Sequence, residues 1–368
     1  MFNSLNSDGL PLNDSDIISA KLYASAEKLG KSAEFKARWE ELLNEIGSSD
    51  IVSIDSVLMQ QMYYHRAVRR DILTESGSVN VTTPGLRRYY IEDNKELISE
   101  RPIRLCDDMI NLTKIWRKVS CYPIIQVLLK FNENSKLFLA SYFSRFREDE
   151  ISEDRIRTIS ECLLRLFTVM ELVDAGYSSA NFKTFLFGEE VKLVDADFSE
   201  DEIKADFDAH ISEKWDRDAI KEYAAEYEKN SLVYLNEFLL AGEKDLPFSL
   251  GAKYDVEHIM PQSGRNHREI SSDAGIDSEA EFRETVNKLG NKILLEEKIN
   301  RSLGNHWFRT KVSTSIREKT GYRDSTFPMA RELVLKYRHE PMPMWRKGDI
   351  VEATEAAAER IVKFIFGE

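Results

Sequence analysis

Two residues that could activate and bind a water molecule, Glu257 and His258, lie side by side, and Asn291 and Asn300 follow along the chain. His258 precedes Asn291 by 33 residues, and Asn291 precedes Asn300 by 9. Histidine suits a general base because its free pKa of about 6.5 lies near neutrality. Carboxylate and amide oxygens are ligands that hard cations such as Mg²⁺ prefer, and an amide can also hold an imidazole in one orientation. The set fits metal-assisted hydrolysis of a phosphodiester, in which a divalent cation neutralises charge on the phosphate.

The elements that must position these residues are short. Residues 253–260 contain β-forming side chains and end before a proline, which predicts a strand running into a loop. Residues 263–278 are polar and predict a loop, and residues 293–295 predict a second strand. Helical spacing returns over 298–319. We therefore expect the order strand, long loop, strand, helix.

The neighbouring positions of Glu257 and His258 impose a geometric condition. Successive side chains on a strand point to opposite faces, so both can serve one site only if the strand end is distorted or the cation lies at the edge. A purely structural explanation is also open. In it His258 caps a strand, and Asn291 and Asn300 are turn and N-cap residues, positions that asparagine favours.

The first two thirds of the chain are predicted to be mostly helical. No proline occurs between Pro123 and Pro247, which permits long helices. Apolar residues recur at helical spacing over 33–46, 158–173 and 216–241. Ser199 precedes three acidic residues and predicts a helix start. We therefore expect a mainly α fold, with a helical domain over 26–245 and a small α+β domain over 246–368.

Composition places the chain among ordinary globular proteins. It has 368 residues, of which 42% are hydrophobic and 31% charged. No apolar run approaches the roughly 18 residues of a membrane span, and the N-terminus lacks the features of a secretory signal. The three cysteines, Cys106, Cys121 and Cys162, indicate a reducing compartment and neither a disulfide framework nor a zinc cluster. We therefore expect a cytoplasmic protein without membrane association.

The formal charge of −13 argues at first against a nucleic-acid partner. It is unevenly distributed: residues 1–245 carry a net charge of −14, residues 246–368 carry +1, and residues 288–338 carry +7. A locally basic stretch of this kind can bind a polyanion. The alternative is that these charges lie on ordinary solvated helix faces.

The C-terminal motifs carry a family resemblance. YDVEHIMPQ at residues 254–262, GNKILL at 290–295 and KIN at 298–300 resemble an HNH (ββα-metal) nuclease domain, in particular the C-terminal domain of GmrSD-type restriction enzymes. The resemblance implies that Glu257 is a metal ligand, His258 the general base, Asn291 the residue that orients His258, and Asn300 the second metal ligand. The implied cofactor is Mg²⁺ or Mn²⁺. Glu257 stands where many such motifs have aspartate.

Three further residues are candidates for DNA binding. Asn305 and Lys311 match the segment that follows the metal ligand in that family, and the match implies that Lys311 points towards phosphate. His306 adjoins Asn305 on the predicted helix and could touch phosphate, although a solvated helix position is the simpler explanation.

Residues 2–17 resemble the end of the N-terminal domain of GmrSD-type proteins, a ParB-like nucleotide-binding domain. The Asp-Gly-Gln-Gln-Arg motif of that domain is missing here. We therefore interpret residues 1–25 as a remnant, either of a longer enzyme or of a split enzyme whose ParB-like domain is a separate partner. The alternative is a local helix start, in which the polar residues of 13–16 act as caps.

Together these features predict a metal-dependent DNA endonuclease that restricts foreign or modified DNA. The alternative is a non-catalytic helical protein-interaction or regulatory subunit with a degenerate nuclease fold. A third hypothesis is that the acidic helical part mimics DNA and occupies the basic site until a trigger arrives.

Overall fold

The fold is mainly helical, with one two-stranded sheet in the part of the chain that the structure describes. A computed structural model describes residues 13–71, 82–176, 179–313 and 320–368. In chain order the helices are α1 (Asp14–Lys28), α2 (Ser32–Gly47), α3 (Ile54–Arg69), α4 (Glu96–Ser99), α5 (Pro102–Val119), α6 (Pro123–Phe131), α7 (Ser135–Phe143), α8 (Glu153–Leu172), α9 (Ala180–Leu193), α10 (Glu200–Lys214), α11 (Arg217–Ala225), α12 (Ser231–Glu243), α13 (His267–Asp273), α14 (Glu279–Val286), α15 (Glu297–Leu303), α16 (Phe308–Val312), α17 (Pro328–Tyr337) and α18 (Lys347–Phe366). The strands are β1 (Tyr254–His258) and β2 (Lys292–Glu296).

Contacts divide the chain into two compact units. The first contains the described residues within Met1–Cys121, Glu133–Ile159 and Tyr177–Ile203. The second contains those within Tyr122–Asn132, Ser160–Gly176 and Lys204–Glu368. Residues on both sides of position 245 lie in the second unit. The division into a helical domain over 26–245 and a second domain over 246–368 therefore stays a prediction. No described helix combines the length and the apolar character that crossing a bilayer requires.

Polar caps and proline fix where many helices begin. The Asn13 side chain accepts a hydrogen bond from the Asp16 amide at 3.0 Å, so Asn13 caps the start of α1, while residues 14–16 lie in its first turn. Residues 1–12 of the predicted remnant 1–25 lie outside the described residues. Ser199 accepts from the Glu202 amide at 3.4 Å, which confirms the predicted start of α10. Prolines occupy the first helical turn of α5, α6 and α17, where no intrahelical donor is needed.

The amphipathic patterns predicted where helices lie better than they predicted the breaks between helices. The pattern at 33–46 is α2, and that at 158–173 lies largely within α8. The helical spacing at 216–241 corresponds to two helices, α11 and α12, because the chain leaves helical geometry between Ala225 and Ser231. The loop predicted over 263–278 contains α13.

The second unit holds the predicted strand–strand–helix order. β1 pairs antiparallel with β2, with Glu257 opposite Ile293 and His258 opposite Lys292. Helix α15 follows β2 directly. The helix predicted over 298–319 ends early, because Gly304 adopts a φ of 52° that terminates α15. Residues 314–319 lie outside the described residues.

Gly290 allows the turn before β2 to lie directly against α18. A Cβ atom at this position would collide with the carbonyl oxygen of Ile350 and the amide nitrogen of Thr354. The Gly290 amide donates to the Thr354 hydroxyl at 3.1 Å. This close approach places the neighbouring Asn291 at the buried start of β2.

Candidate active site

A cavity of about 320 Å³ lies where β1 ends, and several predicted site residues line it. Glu257, His258, Asn300 and Asn305 are all part of its wall. β1 stops at His258, so the chain is no longer constrained to strand geometry beyond that residue. Glu257 and His258 leave the strand in opposite directions, yet both residues line the cavity because the strand ends there.

His258 offers this site an unused ring nitrogen. Its Nε2 atom is buried and has no hydrogen-bond partner among the described residues. Burial, aided by the positive charges of Lys292 and Lys311, lowers the pKa of His258 to about 4. The imidazole is therefore neutral at neutral pH, the form in which a histidine can accept a proton.

Glu257 is buried in an ion pair. Its side chain is 9% exposed, and its Oε1 binds the ammonium group of Lys311. The Tyr322 hydroxyl donates to the same oxygen at 3.3 Å. Burial raises the pKa of the Glu257 carboxyl, while Lys311 and the hydrogen bonds act in the opposite direction. The buried negative charge is thus held by a positive partner supplied from α16.

The position of Lys311 corrects the expectation that it points towards phosphate. Its side chain is only 1% exposed, and besides Glu257 it donates to the carbonyl oxygens of His258 at 2.9 Å and Ile259 at 3.0 Å. An ammonium group needs such partners when it is withdrawn from water, and burial lowers its pKa. Lys311 therefore holds the main chain at the end of β1 through hydrogen bonds made in the buried interior of the second unit.

Asn291 contacts backbone groups and Trp345 and not the imidazole, so it can orient His258 only through the main chain. It is fully buried, and its Oδ1 accepts from the Met260 amide at 2.8 Å and from Trp345 Nε1 at 3.1 Å. Its Nδ2 donates to the carbonyl oxygens of Met260 at 3.0 Å and Val286 at 2.8 Å. These four bonds use both donor and both acceptor positions of the amide. Asn291 is a positioning residue for the segment that follows His258.

Asn300 lies beside an acidic residue that the sequence analysis missed. Its Nδ2 donates to Asp255 Oδ2 at 3.0 Å. The alternation of a strand puts Asp255 on the same side as Glu257, and this spacing was a usable signal. Asn300 lines the cavity, whereas its partner Asp255 does not. Both side chains carry oxygen atoms of the kind that Mg²⁺ and Mn²⁺ prefer, so the donor chemistry fits a hard cation.

The described residues contain no group of three or more histidine, cysteine, aspartate or glutamate side chains arranged as a metal site. Near the end of β1, oxygen-bearing side chains are supplied by Asp255, Glu257 and Asn300.

The predicted DNA contacts lie at the surface. Asn305 and His306 are both exposed, but only Asn305 lines the cavity. Arg301, which the sequence analysis did not single out, also lines it and is paired with Glu297. An exposed arginine beside Asn300 was visible in the sequence only as one charge among many on a basic stretch.

Residues 197–360 match the family model described as GmrSD restriction endonucleases, C-terminal domain. No curated protein shows significant similarity to the chain. The matched segment begins before the predicted boundary at 246 and includes both strands, the cavity at the end of β1 and every predicted site residue. This part of the chain is therefore similar to the C-terminal domain of the GmrSD restriction endonucleases.

Proposed function

We propose that the chain is a metal-dependent endonuclease that hydrolyses DNA phosphodiester bonds in the restriction of foreign or modified DNA. The observation that carries this proposal is the unpartnered, buried Nε2 of His258 in a cavity shared with Glu257 and Asn300. The match to a restriction endonuclease domain over the same residues supports it. The antiparallel β1–β2 pair followed by α15 supports an HNH-type arrangement.

His258 is the proposed general base. The low pKa of about 4 keeps the imidazole neutral over the physiological range, and in the tautomer that carries its proton on Nδ1 it takes a proton from the attacking water at Nε2. The same low pKa makes His258 a weaker base. The positive charges of Lys292 and Lys311 lower the proton affinity of the imidazole, but they also keep it neutral and able to accept a proton. Lys311 and Asn291 hold the backbone on either side of Ile259, and so fix the direction of the imidazole.

Glu257 and Asn300, with Asp255, are the proposed ligands of Mg²⁺ or Mn²⁺. Such a cation, when bound, neutralises charge on the scissile phosphate and the leaving oxygen. A 3.0 Å hydrogen bond holds Asp255 beside Asn300. Lys311 balances the charge of Glu257 from the buried side, so the carboxylate needs no second buried cation to remain ionised.

DNA is proposed to lie over the open side of the cavity. Arg301 and Asn305 line that side, and His306 is exposed next to them. The net charge of +7 over residues 288–338 favours a polyanion there, whereas the chain as a whole carries −13. We therefore expect weak, salt-sensitive DNA affinity for the complete chain.

Cleavage of supercoiled plasmid, with and without base modification, in Mg²⁺ or Mn²⁺ tests the proposal. Wild type should nick or linearise the DNA, and His258→Ala should reduce the rate by at least about 100-fold, the lower range for general-base catalysis. His339→Ala is the matched control, because His339 is exposed and lies outside the cavity. Equal cleavage by wild type and His258→Ala contradicts the assignment.

One observation favours the non-catalytic alternative: Glu257, a proposed ligand, is already paired with Lys311. A degenerate site would bind no catalytic cation. Titration of Mn²⁺ into wild type and into Asn300→Ala separates the two. Binding that depends on Asn300 supports the enzyme, and the absence of Mn²⁺ binding together with inactivity on every plasmid supports the non-catalytic subunit.

A further inference from the structure

The first compact unit contains a second polar cavity, far along the chain from the candidate active site. Its volume is about 280 Å³, and helices α3 and α5 contribute most of its wall. Gln61, His65, Arg69, Arg101 and Arg104 all line it. The volume is close to the lower limit of roughly 300 Å³ for small-molecule pockets, so only a compact ligand fits.

Gln61, a residue of the cavity wall, has a buried polar atom without a partner among the described residues. Gln61 is 1% exposed, and its Oε1 has no hydrogen-bond partner among the described residues. The preceding Gln60 shows the contrast: its Oε1 accepts from Trp116 at 2.6 Å, and its Nε2 donates to Ser56 at 2.9 Å. An unsatisfied buried acceptor costs about 1–3 kcal/mol, so a hydrogen-bond donor from outside would relieve that cost.

Arg69, Arg101 and Arg104 line the same space, together with the carboxylate of Asp108. Burial, aided by the charges of these three arginines, lowers the pKa of His65 to about 4, and His65 Nε2 is also buried without a partner among the described residues. Arg69 pairs with Glu96 at 2.6 Å, and Arg104 approaches Asp108 only to 3.8 Å. Arg101 forms no ion pair with the described residues, and its side chain is exposed at the cavity rim.

We propose that this cavity binds a compact phosphate monoester whose organic part carries hydrogen-bond donors, a nucleoside monophosphate or a sugar phosphate. The phosphate lies against Arg101 and Arg104, because guanidinium groups recognise phosphate oxygens in a bidentate manner. A hydroxyl or amino group of the organic part donates to Gln61 Oε1. His65 is neutral and can donate or accept through Nε2, according to its tautomer. Gln61 is too deeply buried for the backbone of duplex DNA to reach, so the geometry favours a small molecule.

Isothermal titration of the full chain tests this proposal. The probes are adenosine 5′-monophosphate, cytidine 5′-monophosphate and glucose 6-phosphate, each compared with its unphosphorylated counterpart, with inorganic phosphate and with a short DNA duplex. At least one phosphorylated probe should bind, and its unphosphorylated counterpart should bind at least roughly 10-fold more weakly, as expected for the loss of charge-assisted hydrogen bonds. Comparing the two nucleotides with glucose 6-phosphate shows whether the cavity binds a nucleoside monophosphate or a sugar phosphate.

Two variants assign the binding to the cavity. Arg101→Gln should weaken it roughly 10-fold or more, because a charge-assisted contact is lost. Arg157→Gln is the matched control, since Arg157 is exposed and does not line the cavity. Gln61→Met should weaken binding of the organic phosphate without destabilising the free protein, because it removes an unsatisfied buried oxygen.

Each remaining outcome counts against the proposal. If no phosphorylated probe binds, the cavity has no such ligand. If inorganic phosphate binds as tightly as the organic phosphates and Gln61→Met changes nothing, the organic part is not recognised. If duplex DNA binds more tightly than every small probe and depends on Arg101, the site is a nucleic-acid surface.

Discussion

Removing the positive partner of Glu257 tests the idea that Lys311 is structural. Lys311→Met keeps a side chain of similar length but leaves Glu257 buried without its counter-charge. The two side chains are 1% and 9% exposed, so solvent screens the pair very little. Breaking a buried pair on one side costs about 3–5 kcal/mol, and the carbonyl oxygens of His258 and Ile259 lose a donor as well. We therefore expect a loss of about 3–5 kcal/mol in the free energy of unfolding of the second unit.

The double variant separates charge from packing. In Glu257→Gln/Lys311→Met no charge remains in the pair, so the variant should be more stable than Lys311→Met alone by about 1–3 kcal/mol. Lys336→Met is the control, because Lys336 is half exposed and its approach to Glu352 is 3.8 Å. A surface pair of this kind contributes about 0–1 kcal/mol.

Hydrogen exchange in increasing urea is the appropriate measurement, followed on peptides that cover β1 and β2. The chain has two compact units, so one global transition need not report on the strands. Lys311→Met within about 1 kcal/mol of wild type, or a double variant as unstable as the sum of the two single variants, would refute the reasoning.

Three further substitutions test other parts of the second unit. Asn291→Ala removes four hydrogen bonds and should destabilise the unit by about 2–4 kcal/mol, measured by urea unfolding, while DNA cleavage falls even under conditions where the variant is folded. Glu237→Gln should flatten the dependence of stability on pH, because burial raises the pKa of Glu237 in the folded protein to about 8. The contribution of Glu237 to the free energy of unfolding is fully present below the unfolded pKa of about 4.5 and is lost as the pH rises through 8. The loss is on the order of 4 kcal/mol. Thermal unfolding between pH 5 and pH 9 measures this, and a slope equal to that of wild type contradicts it. Gly290→Ala should destabilise strongly, by about 3 kcal/mol or more, because its Cβ meets the backbone of α18, whereas Gly188→Ala in α9 meets nothing within 4 Å and should be neutral or stabilising.

Local patterns were sufficient for the strands and for the position of the cavity. The strand before Pro261 and the strand after Gly290 could be predicted because alternation, β-forming residues and punctuation are all properties of a few adjacent residues. Local patterns contain no information on contacts between distant parts of the chain, and this explains the wrong predictions. Residues 263–278 are polar, yet α13 forms there because Ile270 and Ala274 pack into the core of the second unit, a contact between distant parts of the chain.

The roles of single side chains were harder to predict than their presence at the site. Lys311 was visible as a positive charge near the motif, but whether it faces solvent or Glu257 depends on how α16 packs. Asn291 was correctly expected near the end of β1, and its partners turned out to be backbone groups and Trp345, which lies 54 residues away. Asp255 was overlooked, although its place two residues before Glu257 on a strand puts both carboxylates on one side.

The positions of Lys311 and Asn291 lead to one account of how His258 is held. Lys311 binds the carbonyl oxygens of His258 and Ile259, and Asn291 binds the amide and the carbonyl oxygen of Met260. The Ile259 amide donates to the Asn291 carbonyl oxygen at 2.9 Å. The backbone beyond β1 is thus satisfied by groups from the turn before β2 and from α16, without any bond to the imidazole Nε2. A general base needs both a fixed direction and a free nitrogen, and fixing it through the backbone provides both, since a side-chain partner at Nε2 would compete with the water that the base must deprotonate.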